Sequence, residues 1–142
     1  MKTSARKYSG CMYFVSNSLA RKMEKLAVNA WKPLDLSPSH AYLLMLVIEN
    51  PGIQPTLLSE ELDLQPSTIT RLLEKLEEKK LLLRITEGKQ TSVYATPKAK
   101  NLYTKMKHCA EVFTQNYFEI LGKEQSTKLV QNMNRVADKL EA

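Results

Sequence analysis

Between Pro55 and Ala95 the hydrophobic period changes from helical to strand-like, and this switch most narrows what the chain can fold into. Pro55–Leu62 reads as a short helix, Asp63-Leu64 as a tight turn, and Pro66–Lys80 as a longer helix with Ile69, Leu72, Leu73 and Leu76 on its buried face. Gln65, Ser67, Thr68, Thr70, Arg71, Glu74 and Lys75 then lie towards solvent or a partner. Leu81–Ile85 reads as a strand, Thr86–Lys89 as a turn and Gln90–Ala95 as the return strand. Two helices at a tight turn followed by a hairpin make a winged helix-turn-helix. A major groove about 12 Å wide admits one helix, and the leading end of that helix should carry short donors and acceptors plus an arginine. Ser67, Thr68, Thr70 and Arg71 meet that requirement.

The flanks read as helices. Met12, Val15, Leu19, Met23, Leu26 and Ala30 form one stripe from Gly10 to about Trp31, which Lys32-Pro33 ends. Ser37-Pro38 restarts a helix, and Ala41–Ile48 is apolar all round, which places it in the middle of the core. Asn50-Pro51-Gly52 stops it. Pro97 opens a long helix with Ala99, Leu102, Met106, Ala110, Phe113, Tyr117 and Ile120 on one face, and Gly122 breaks it. The last helix carries Leu129, Met133, Val136 and Leu140. The expected fold is mainly α with a small β-hairpin wing, in the order α-α-α-α-β-β-α-α. Helical regions, residues 1–36 and 97–142, thus flank the helix-turn-helix and hairpin of residues 37–96.

Charge supports an acidic partner. The chain carries +6 overall, distributed as +5 over residues 1–36, −3 over 37–80, +3 over 81–100 and +1 over 101–142. The cations useful to DNA are therefore local: Arg71 and Lys75 on the reading helix, then Arg84, Lys89, Lys98 and Lys100 around the wing. Glu60, Glu61, Asp63, Glu74, Glu77 and Glu78 are expected to face away, since they would repel phosphate.

The sequence resembles the MarR (multiple antibiotic resistance regulator) family of transcription factors. Trp31–Ala41 is similar to that family's approach to its second helix, and Leu58–Glu77 is similar to its helix-turn-helix over twenty consecutive positions. Leu81–Arg84 and Val93–Ala99 resemble the flanks of its wing, whereas the family's Asp-x-Arg falls on Glu87-Gly88-Lys89 and the loop after Arg84 is two or three residues shorter. The resemblance implies a homodimer formed by the first and last two helices, with residues 1–36 and 97–142 as the helical dimerisation region and 37–96 as the DNA-binding region, and a pseudo-palindromic duplex operator. The function it implies is a transcriptional regulator, most often a repressor, released by a small aromatic or phenolic molecule or by an oxidant. The DNA-contacting set would be Gln65, Ser67, Thr68, Thr70, Arg71, Lys75, Arg84, Glu87, Lys89 and Thr91. Some relatives sense peroxide through one cysteine early in the first helix, which marks Cys11, with Tyr8 and Tyr13 nearby. Met12, Tyr13, Trp31 and Tyr42 could line an effector pocket, and core packing explains them equally well.

Other classes lack their parts. The length excludes a barrel enzyme of about 250 residues, and no Gly-rich phosphate loop, Gly-x-Ser-x-Gly or His-Glu-x-x-His occurs, so no enzyme and no cofactor is expected. The two histidines, His40 and His108, do not stand at metal-ligand spacing, so no metal is expected. No apolar run approaches the ~20 residues of a membrane span, and the stretch Cys11–Val15 is too short for a secretory signal. Two cysteines make no disulfide framework and point to the cytoplasm. The remaining alternative is a winged-helix module that mediates protein contacts without specific DNA binding, and its reading face would lack arginine and hydroxyls.

Overall fold

The computed structural model describes Lys2 and residues 5–141. It contains seven helices and one hairpin: α1 (Met12–Trp31), α2 (Pro38–Glu49), α3 (Pro55–Leu62), α4 (Pro66–Glu78), β1 (Leu82–Glu87), β2 (Gln90–Ala95), α5 (Pro97–Lys100), α6 (Tyr103–Leu121) and α7 (Lys123–Glu141). A single 3-10 turn, Lys32–Leu34, follows α1. The chain divides into two compact units, one of residues 1–30 with 110–142, the other Trp31–Cys109.

The second unit is built around α2. Ser37 accepts a hydrogen bond from the His40 amide at 3.3 Å and Pro38 takes the first turn, so the helix starts where expected. Ala41, Leu43, Leu44 and Val47 are fully buried, as an all-round apolar helix must be. Against α2 pack α3, α4, α5 and β2, contributing Leu58, Ile69, Leu73, Leu76, Val93 and Ala99 to the same core.

The turn between α3 and α4 rests on Asp63, which takes the left-handed conformation (φ 51°) that aspartate tolerates better than most residues. The Leu64 amide donates to the Ser59 carbonyl at 3.1 Å and the Ser59 hydroxyl to the Leu64 carbonyl at 2.6 Å. These bonds satisfy the helix end that the turn exposes.

Three boundaries differ from the sequence reading. The hairpin turn is two residues, Gly88-Lys89, because β1 continues to Glu87 opposite Gln90. Gly88 has φ 63° and Lys89 does not, the pattern of a two-residue turn that requires glycine first. Secondly, α4 stops at Glu78, and Lys80 takes φ 61° to turn the chain into β1. Thirdly, the helix expected from Pro97 is two: the Leu102 amide bonds the Ala99 carbonyl, an i to i+3 bond that tightens the chain between α5 and α6.

Gly52 anchors the wing at its base. Its amide donates to the Val93 carbonyl at 2.9 Å and the Val93 amide to the Ile53 carbonyl at 3.0 Å. A Cβ on Gly52 would meet the Tyr94 hydroxyl at 3.2 Å, and its φ of 85° also favours glycine.

In the first unit, α1, α6 and α7 line an apolar cleft of about 390 Å³ with Leu19, Met23, Phe113, Tyr117, Leu129 and Met133. Much apolar surface stays exposed here: Leu140 is 80% exposed, Met12 72% and Ile120 70%.

Thr96 ties wing to α5. Its hydroxyl donates to the Lys80 carbonyl at 2.8 Å and accepts from the Ala99 amide at 3.3 Å. Thr96→Ala should lower the unfolding free energy by about 1–2 kcal/mol, and Thr96→Ser should recover most of it, as read from urea midpoints.

Candidate nucleic-acid interface

The leading end of α4 is where sequence and structure converge. Ile69, Leu72, Leu73 and Leu76 are buried, and Gln65, Ser67, Thr70, Arg71 and Lys75 are exposed, with Thr68 half-buried between them. Gln65 is the N-cap residue, yet its carboxamide makes no capping bond and stands free with the Ser67 hydroxyl among the described residues. Thr70 donates to the Pro66 carbonyl at 3.1 Å, and Arg71 lies 3.5 Å from the Thr68 hydroxyl. These contacts are long or local, so Arg71 can extend to an outside acceptor.

The acidic residues are less segregated than expected. Glu74 and Glu78 are exposed and, at helical spacing, share the face of Ser67 and Arg71. Their expected turn away from the reading face is not what the helix period allows; each lies further along the axis, Glu74 about 10 Å beyond Ser67. Lys75 is 3.9 Å from Glu78 and partly neutralises it. The uncharged donors therefore occupy the first two turns and the carboxylates the rest.

On the wing, Leu82, Arg84 and Thr86 share one face with Ala95, Val93 and Thr91, while Glu87 and Gln90 stand at its tip. Lys89 is exposed and without an ion partner among the described residues. Thr91 shares a 3.2 Å hydrogen bond with Thr86. Arg84 differs from the others: its guanidinium is 2.5 Å from the Glu77 carboxylate, with both side chains about one-third exposed (31% and 32%).

Sequence reasoning missed a polar groove of about 600 Å³ between the start of α3 and the wing tip. Gln54, Thr56 and Gln90 line it beside Lys89. Pro55 was the available signal, since proline at a first turn marks the preceding Gln54 as the N-cap.

The residues expected to form an effector pocket are divided between the units. Met12 and Tyr13 belong to the first and are exposed; Trp31 and Tyr42 belong to the second. The Trp31 ring is wholly buried and meets Tyr42 edge-on at 5.4 Å, and its indole N–H has no hydrogen-bond partner among the described residues. Cys11 is half-buried immediately before α1, whereas Cys109 is buried and desolvation pushes its thiol pKa up. Among the described residues, no three of His, Cys, Asp and Glu are grouped to hold a metal, and no helix is long and apolar enough to cross a membrane.

Comparison with known proteins assigns the module. The sequence profile described as MarR family matches residues 34–90. Over those residues the helix-turn-helix is similar to that of the MarR family. The MarR-type fold extends well beyond the matched residues. CouR, a transcriptional repressor bound to a 23-mer DNA duplex, superposes with a TM-score of 0.81 at 18% identity, covering 96% of this chain and 98% of that one. A MarR-family regulator from Rhodococcus sp. RHA1 gives 0.77 at 20% identity over 94% and 96%. A mutant MarR from E. coli complexed with operator DNA gives 0.79 at 16% over 93% and 99%. CouR has also been solved with p-coumaroyl-CoA and in that form gives 0.82 at 19% over 94% and 96%. No curated protein sequence matches the chain.

His40, at the start of α2, gives the MarR-type module a pH dependence. Its pKa lies below the ordinary 6.5, first because burial disfavours the cation and then because Lys79 and Lys75 repel it. The unfolded chain therefore takes up this proton first, so the contribution to stability is full above about pH 6.5 and falls as pH drops through the lowered value. Urea midpoints should decrease from about pH 7.5 to 5.5, and His40→Gln should show a smaller decrease over the same range.

Proposed function

We propose that the chain is a dimeric, cytoplasmic transcriptional regulator, a repressor, that binds a pseudo-palindromic DNA operator. The observation that carries this reading is the first two turns of α4, where Gln65, Ser67, Thr70 and Arg71 are exposed around a well-buried apolar face. Helix-leading amides, hydroxyls and one arginine suit base edges and adjacent phosphates. Lys75, Lys89 and Thr91 add backbone contacts, with Gln54, Thr56 and Gln90 in the groove beside the wing. Glu87, exposed at the tip, would act as a hydrogen-bond acceptor. The same surface disfavours the protein-interaction alternative, which needs neither Arg71 nor the hydroxyls.

Dimerisation rests on the first unit. Leu129, Met133, Val136 and Leu140 recur at helical spacing on α7 and all are exposed in the single chain. A second copy covering them would complete a region of residues 1–36 and 97–142, leaving 37–96 to read DNA. A twofold arrangement would set the two reading helices about 34 Å apart, one turn of the duplex. CouR binds both DNA and an aromatic acyl thioester on this fold, which supports release by a small aromatic or phenolic ligand here. For an oxidant, Cys11 is the reachable thiol, since Cys109 is buried.

The reading is tested by comparing the protein's own upstream DNA with random duplex at about 150 mM salt, and equal binding would refute it. Arg71→Ala should cost about 1–3 kcal/mol and relax preference at one base pair. Lys89→Ala should weaken all duplexes alike and lower the salt slope by about one. Met133→Glu should shift sedimentation towards monomer and lower operator affinity by at least about tenfold, because a carboxylate in the apolar stripe opposes pairing.

A further inference from the structure

We infer that Arg84 serves DNA binding as a positioning residue: its ion pair with Glu77 sets the angle of the wing against the reading helix, and the guanidinium does not itself contact DNA. This rests on the DNA-binding reading above. The ends of the hairpin are held differently. β2 is secured through Val93, fully buried and bonded on both sides to Gly52 and Ile53. β1 is secured at its base, where the Leu81 amide bonds the Leu76 carbonyl and Leu82 is buried. Beyond Leu82, β1 has one shielded side chain, Arg84, and the rest through Glu87 are exposed.

Arg84 stands opposite Val93 in the ladder, on the face shared with Leu82. It meets Glu77 of α4 at 2.5 Å. From this point to Gly88 the hairpin extends about 13 Å, so a small rotation at Arg84 displaces Lys89 by several ångströms. The pair is partly shielded from solvent, where a charge-assisted bond holds orientation better than at an open surface. An arginine spent on a carboxylate has no net charge to offer phosphate, which separates its role from that of Lys89.

The two roles predict opposite signs for one substitution. If Arg84 positions the wing, Glu77→Gln weakens specific binding by about fivefold, Arg84→Gln weakens it by a similar factor, and the double variant is no worse than either. If Arg84 touches phosphate, Glu77→Gln leaves binding unchanged or tightens it, and Arg84→Gln lowers the salt slope by about one. Positioning leaves that slope unchanged. The reversed pair, Glu77→Arg with Arg84→Glu, should restore affinity towards the wild type, and a further loss would overturn the inference.

Hydrogen exchange without DNA gives a second reading. The Ile85 and Glu87 amides of β1 should exchange faster in Glu77→Gln than in the wild type, at an unchanged global unfolding midpoint. Equal exchange would overturn the positioning role. Failure of the two proposals is distinguishable: a wild type that prefers no duplex sinks the regulator, whereas a specific wild type with a tight-binding Glu77→Gln sinks only the pair.

Discussion

The burial of α2 is the constraint on which the surfaces proposed to meet DNA depend. A helix carrying Ala41, Leu43, Leu44 and Val47 at zero exposure must be surrounded, and α3, α4, α5 and β2 are the elements that surround it. Burying one leucine side chain is worth roughly 2–3 kcal/mol, so Leu43 and Leu44 together outweigh any single polar contact at the surface. The helix α4 is placed by this core. Its four buried residues lock one face inward, and the helical period then fixes Ser67 and Arg71 outward with no instruction from DNA.

That same period limits what the reading helix can offer. Once Ile69, Leu72, Leu73 and Leu76 are committed to the core, Glu74 and Glu78 have nowhere to go but the face of Ser67 and Arg71. A recognition helix with carboxylates past its second turn can insert its leading end and must keep its remainder away from phosphate. If the proposed DNA binding holds, specificity comes from uncharged donors and one arginine, and general attraction from cations elsewhere.

Most of the architecture was legible because it rests on local rules. The Ser37-Pro38 cap, the stops at Pro51-Gly52 and Gly122, and the change of period after Lys80 all act within a few residues. The turn is shorter than its sequence suggests for a related reason: Glu87 is a poor strand former beside Gly88, and pairing of Thr86 with Thr91 and Glu87 with Gln90 carries the strand through it. The break at Asn101-Leu102 is likewise invisible, since Asn101 keeps right-handed helical angles and only the hydrogen bond shortens. Side-chain pairings between separate elements lie beyond the reach of local rules. Nothing in the order of residues says that Glu77 takes Arg84, or that Lys79 donates to the Asp35 carbonyl 44 positions away.

These long-range pairings also alter how the net charge should be read. The +6 contains several cations already committed within the fold: Arg84 to Glu77, Lys79 to the Asp35 carbonyl and Lys98 to the Lys79 carbonyl. A lysine bonded to a carbonyl keeps its charge, so Lys79 and Lys98 still raise the potential around the base of the wing. Arg84 does not, because its carboxylate partner cancels it at short range. The wing therefore presents its free positive charge at the tip, on Lys89, with Glu87 two residues away. A point charge on a flexible stem makes few demands on geometry, unlike the planar fork of arginine. Such a tip suits tracking of phosphate better than reading of a groove edge, so in the proposed complex the burden of sequence choice would fall on Gln65, Ser67 and Arg71 at the head of α4.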